Sequence, residues 1–154
     1  MHELIYNYST PFLKPMIQAV SDMDKEHAIE WSFNEIERPL RRLKRRYPEY
    51  TTPRDCKRLG ILYLEGRVPL PQVGAAVDDL YREAGIIGIT DKVGRALAFS
   101  IGEAVSSLKT KSHVMKYVFY YLTALKMNGA SDREIEGEAE RMTTSYTAKS
   151  SKLD

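Results

Sequence analysis

Apolar side chains recur every three or four positions from the mid-twenties to the low one-forties, and no stretch alternates with the period of two that a half-buried strand requires. This pattern predicts an all-α fold, a single bundle of about six or seven helices around one core. Ile29, Phe33, Ile36, Leu40, Leu43 and Tyr47 form the first clean stripe, which Asp22 or Asp24 can cap. Pro39 lies inside that stripe and removes one backbone donor, so a kink or a break into two shorter helices is expected between residues 35 and 39. The chain before it, around Thr10, is expected to be loosely structured.

Thr52-Pro53 opens a second segment that turns Cys56, Leu59, Tyr63 and Leu64 inward and stops at Gly66. Pro69 and Pro71 open a third, in which Val73, Ala76, Val77, Leu80, Tyr81 and Ala84 give a full helical stripe up to Gly85. The apolar run from Ile86 to Ile89 is expected to cross the core as a connector before Thr90 or Asp91 caps the next helix. In that helix Val93, Leu97, Ile101, Ala104 and Leu108 form one row, and Gly94, Ala98, Gly102 and Ser106 form another. Glycine inside a helix costs about 1 kcal/mol relative to alanine, so the small row implies close approach by a neighbouring helix. An internal neighbour is the first expectation; packing between two copies is the alternative and would make a homo-oligomer. Ser112 begins a helix with Val114, Val118, Tyr121, Leu122 and Leu125 facing in, and Ser131 with Glu134 forms a capping box for the last one, carrying Ile135, Ala139 and Met142. Residues 1–142 therefore read as one helical domain and residues 143–154, rich in serine and threonine, as a flexible tail.

Composition adds boundaries. The chain has 154 residues, a formal net charge of +2 and one cysteine, Cys56, which excludes an intrachain disulfide and fits a reducing, cytoplasmic setting. The start, MHELIYNYSTPFLKP, lacks the basic and apolar regions of a secretory signal, and the longest apolar run, from Tyr117 to Leu125, is about half of what a bilayer span needs. No membrane association is expected. Three histidines and one cysteine make a poor ligand set, so no metal and no other cofactor is predicted. Nucleophile elbows, phosphate loops and dinucleotide fingerprints are absent, and no catalytic residue can be named.

Charge concentrates in RPLRRLKRR, residues 38–46, with six positive side chains in nine positions. On a helix Arg38, Arg41, Arg42 and Arg45 share a face opposite Leu40 and Leu43, a ridge able to meet an acidic partner or phosphates. The bland alternative is a solvated face, with Glu134, Glu136, Glu138 and Glu140 as internal counter-charges. Aromatic and base-reading residues beside the ridge are sparse, which weighs against nucleic acid. Lys109, His113 and Tyr117 cluster at a helix start and form a second candidate contact, or the rim of a small-molecule pocket.

Two stretches carry a family resemblance. IERPLRRLKRRYPEYTTPRDCKRLGILYLEGRV has a helix, a Tyr-Pro turn, a Pro-Arg helix start and a helix that ends in a bulky residue and glycine. GRALAFSIGEAVSSLKTKSHVMKYVFYYLTAL has a helix of small residues, then a histidine-bearing helix with an aromatic run. Together they resemble the small helical bacterial toxin-immunity proteins of the Imm-five-like group. The resemblance implies an all-helical, non-enzymatic, cytoplasmic protein that binds and blocks a toxin domain, so the partner would be a protein. A nucleic-acid-associated accessory role for the arginine ridge, and a ligand-binding or enzymatic bundle near His113, are the alternatives.

Overall fold

The computed structural model describes residues 4–148. After a 3-10 turn at Pro11–Leu13 come eight α-helices: α1 Lys14–Asp22, α2 Lys25–Glu35, α3 Glu37–Arg46, α4 Thr52–Leu64, α5 Leu70–Ile87, α6 Lys92–Val105, α7 His113–Met127 and α8 Asp132–Thr147. The all-α architecture follows the periodicity. Counting α2 and α3 as one bent rod gives the seven segments at the upper end of the expectation.

The bend has the anticipated cause. Pro39 has no N–H to return to the carbonyl of Glu35, and the helical run breaks at Ile36, the residue between α2 and α3. Asp24, not Asp22, caps α2 by accepting from the His27 N–H at 2.9 Å.

The helix α6 is the hub of the bundle and packs against α2, α3, α4, α5 and α7, most extensively α7. From Ala96 through Leu108 every residue is buried, including the 3-10 turn that follows α6. Glycine permits this closeness at Gly102, where an added Cβ would stand 2.3 Å from the ring of Tyr81 on α5. The row of small residues thus meets an internal neighbour, which removes the reason to invoke a second copy there. Buried serines in the hub satisfy themselves locally, Ser100 on the Leu97 carbonyl at 2.6 Å and Ser107 on that of Ala104 at 2.7 Å.

Three expectations change at the edges. The N-terminal part is ordered: Leu13 and Met16 are fully buried, the Ile5 N–H donates to Thr123 Oγ1 at 3.1 Å, and Lys111 caps the end of α1 through the carbonyls of Ser21 and Met23. The run from Ile86 to Ile89 does not cross the core, because α5 continues to Ile87 and turns Ile86 and Ile89 outward, leaving them 65% and 81% exposed. At the C-terminus α8 continues through Thr147, five residues beyond the expected boundary, since Tyr146 is fully buried against Trp31 and His27. The rest of the predicted tail, residues 149–154, lies outside the described residues.

Candidate protein-docking face

The basic segment forms α3, with Leu40 and Leu43 buried beneath it and Arg38, Arg41 and Arg45 exposed. The four arginines singled out from the sequence do not behave alike. Arg42 is half-buried and its Nε donates to the hydroxyl of Tyr121 at 3.2 Å, which ties the ridge to α7. Arg38 lies 3.5 Å from Glu35, a loose pair at a site 46% exposed that adds little. Among the described residues Arg41, Lys44 and Arg45 have no carboxylate within 4 Å. The acidic residues of α8 do not neutralise them, because Glu134 closes the capping box with Ser131 and Glu138 pairs with Arg141 on its own helix. Positive charge at the last turn of α3 is also favoured by the helix dipole.

Beneath the ridge lies a clamp that sequence reasoning missed. Glu35, only 6% exposed, accepts from Arg141 Nη1 at 3.1 Å and Nη2 at 2.6 Å, and from the Tyr117 hydroxyl at 3.2 Å. Burial opposes the charge on Arg141, but hydrogen bonds with Glu35 and Glu138 outweigh it and hold the guanidinium charged above its ordinary value. Tyr117 stacks on Tyr121 at 5.7 Å, and Trp31 meets Tyr117 edge-on. The ridge therefore stands on a rigid base of α2, α7 and α8, with shallow hollows on its flanks, one lined by Arg38, Arg41 and Arg141, another by Arg42 and Arg45.

The second candidate group does not assemble. Tyr117 is completely buried and spends its hydroxyl on Glu35, so it offers nothing to a partner. Its phenol is pushed well up, first by burial and then by the Glu35 charge. His113, partly exposed, points its Nδ1 at Glu103 Oε1 at 2.9 Å, and Tyr81 donates to the other oxygen. Those two bonds hold Glu103 below the usual carboxylate range against the opposing effect of its burial. This is a satisfied core acid between α5, α6 and α7. Lys109 is exposed beside Gly74 of α5. His113 and the Arg42 contact at Tyr121 are eight residues apart on α7, roughly 12 Å along the helix, so the two groups do not form one patch.

A third region, at the far end of α3, combines chemistry that the sequence did not bring together. Asp91 caps α6 at the Gly94 N–H and accepts a two-pronged bond from Arg46 at 2.7 and 3.0 Å and one from the Tyr47 hydroxyl at 2.6 Å. Burial alone would raise its pKa; these donors outweigh it and bring the carboxyl down to about 2. Next to this lock is an open groove of about 810 Å³ between residues 46–52 and the end of α5, with Tyr50, Glu83, Ile86 and Ile87 in its walls. Cys56, by contrast, is fully buried, donates to the Ala76 carbonyl and has its thiol pushed up to about 12 by burial, so it is not a nucleophile.

Among the described residues no group of three or more His, Cys, Asp or Glu side chains is placed to hold a metal ion, and no helix is long and apolar enough to cross a membrane. No curated protein and no solved structure matches the chain. Residues 18–149, from α1 to the end of α8, match the family described as Imm-5 like putative immunity protein. With most of its length covered, and with the all-helical architecture described above, the chain belongs to that family.

Proposed function

We propose that this protein is a non-enzymatic, cytoplasmic binding protein that neutralises a toxin domain by forming a one-to-one complex, and that the exposed face of α3 is a principal contact. The observation that carries the reading is the state of Arg41, Lys44 and Arg45, three exposed cations with no carboxylate within 4 Å among the described residues, on a helix immobilised by Leu40, Leu43 and the Arg42–Tyr121 bond. A rigid element that presents uncompensated charge favours a partner of opposite sign and speeds its encounter. The toxin surface it fits is acidic. Arg38 contributes at the edge of the same face; Lys109 and His113, at the other end of α7, belong to a separate and weaker contact.

Co-expression with each toxin-like neighbouring gene tests the reading: one should be neutralised and co-purify. The double substitution R41E/R45E should leave the circular-dichroism spectrum unchanged and weaken that complex about a hundredfold, since like charges across an interface cost several kcal/mol. If no neighbour is neutralised or retained, the proposal fails. The same ridge could meet phosphates, and affinity for DNA or RNA that falls steeply with salt and vanishes in R41E/R45E would replace the toxin reading with a nucleic-acid one.

A further inference from the structure

The groove beside the Asp91 lock joins two features that the fold itself does not use. Ile86 and Ile89 are 65% and 81% exposed, the two most exposed large apolar residues among those described. The helical continuation of α5 through Ile87 presents them to solvent. Exposed apolar side chains next to a concavity mark interaction sites more often than isolated ones do.

The second feature is electrostatic. Glu83 and Glu49, both in the groove walls, have no cation within 4 Å among the described residues. The one cation in those walls, Arg46, is held two-pronged by Asp91. Glu83 turns Oε1 inward toward the Tyr50 hydroxyl, a neutral donor that leaves the carboxylate without a counter-charge among the described residues. Burial, then the Glu83 charge and the hydrogen bond with its carboxylate, push the Tyr50 phenol up. A carboxylate without a counter-charge favours a cationic partner.

From the exposed Ile86 in the groove wall, Ile89 beside it and the two carboxylates without a counter-charge, we infer that this groove is a docking site for a protein segment carrying an apolar side chain next to a lysine or arginine. The apolar group covers Ile86 and the cation meets Glu83. The polarity is opposite to that of α3, so the molecule has two faces that select for different chemistry. The groove stands apart from the immunity reading, because its selectivity is a property of its own walls.

Peptides test it without any toxin. A hexapeptide of alternating leucine and lysine, its leucine–serine counterpart and its leucine–glutamate counterpart are titrated into the full-length protein and followed by amide chemical shifts. The lysine peptide should shift residues 50–52 and 83–89 and bind about tenfold more tightly than the serine peptide, the gain expected of a hydrogen bond to a charged group. Glu83→Gln should abolish that preference, and Ile86→Asp should weaken both peptides. Equal binding of the glutamate peptide, shifts centred away from the groove, or a preference unchanged in Glu83→Gln would overturn the inference. Sedimentation that shows a dimer dispersed by Ile86→Asp would assign the groove to a second copy and overturn it as well. Failure of neutralisation with the peptide preference intact would reject the immunity reading and leave the groove standing.

Discussion

Glu35 and Glu83 are both glutamates on helices facing a neighbouring segment, yet their surroundings differ completely. Glu35 is enclosed by Arg141, Tyr117 and, loosely, Arg38, so that every oxygen has a donor. Glu83 has only the neutral Tyr50 hydroxyl beside its inward oxygen and, among the described residues, no cation within 4 Å. The first arrangement fastens α2 to α7 and α8, whereas the second leaves a charge for something else to meet. A buried ion pair contributes little net stability by forming, but it becomes costly once one member is removed. The comparison therefore predicts where the fold is brittle and where it tolerates change.

The largest effect is expected at the clamp. Arg141→Ala strands Glu35 in the interior and should destabilise the protein by about 3–5 kcal/mol in chemical denaturation. A loss under about 1 kcal/mol would mean that Glu35 is reached by water and that the clamp is not closed. Asp91 comes next. Removing its charge in Asp91→Asn weakens a helix cap and a two-pronged arginine bond, for a loss of about 2 kcal/mol near neutral pH.

Asp91 also predicts a pH dependence. Its folded pKa, about 2, lies below the ordinary value of 3.8, so its stabilisation is complete above about pH 4 and disappears as the pH falls through about 2. The gap in stability between the wild type and Asp91→Asn should narrow in that window; a constant gap would show that the charge contributes nothing. The smallest effects belong to the groove. Glu83→Gln and Ile86→Asp should each change stability by less than about 0.5 kcal/mol, because neither side chain supports the fold. A large loss at either position would mean that the groove wall is structural and not available to a partner.

How much could be read in advance follows the range of the interaction. Local signals were legible: the Ser131–Glu134 capping box, the Asp91 cap, the break that Pro39 imposes at Ile36 and the small row that admits Tyr81. Each depends on residues a few positions apart or on a backbone constraint. The errors arose where a local cue had two meanings. The start around Thr10 was expected to be loose, although Pro11 and Pro15 suit the first turn of a helix and both occupy such positions. The run from Ile86 to Ile89 suggested a core connector from hydropathy alone, which does not show which way a helix end faces.

The candidate site was legible only as a concentration of charge. Its division into committed and uncommitted arginines depends on Tyr121, Glu35 and Asp91, distant in sequence. Arg141 and Glu35 are 106 positions apart, and no periodicity connects them. The placement of Tyr117 depends on the same pair, which is why an aromatic residue near a helix start looked available and is not.

The chain has a single tryptophan, and the structure puts it where α8 is seated: the Trp31 indole N–H donates to Ser145 Oγ at 2.8 Å, with the Tyr146 ring edge-on to it. The protein thus carries a built-in optical gauge of its last helix. Lifting α8 exposes the indole to water and shifts its emission to the red without any label, so release of this one helix can be timed separately from collapse of the whole bundle.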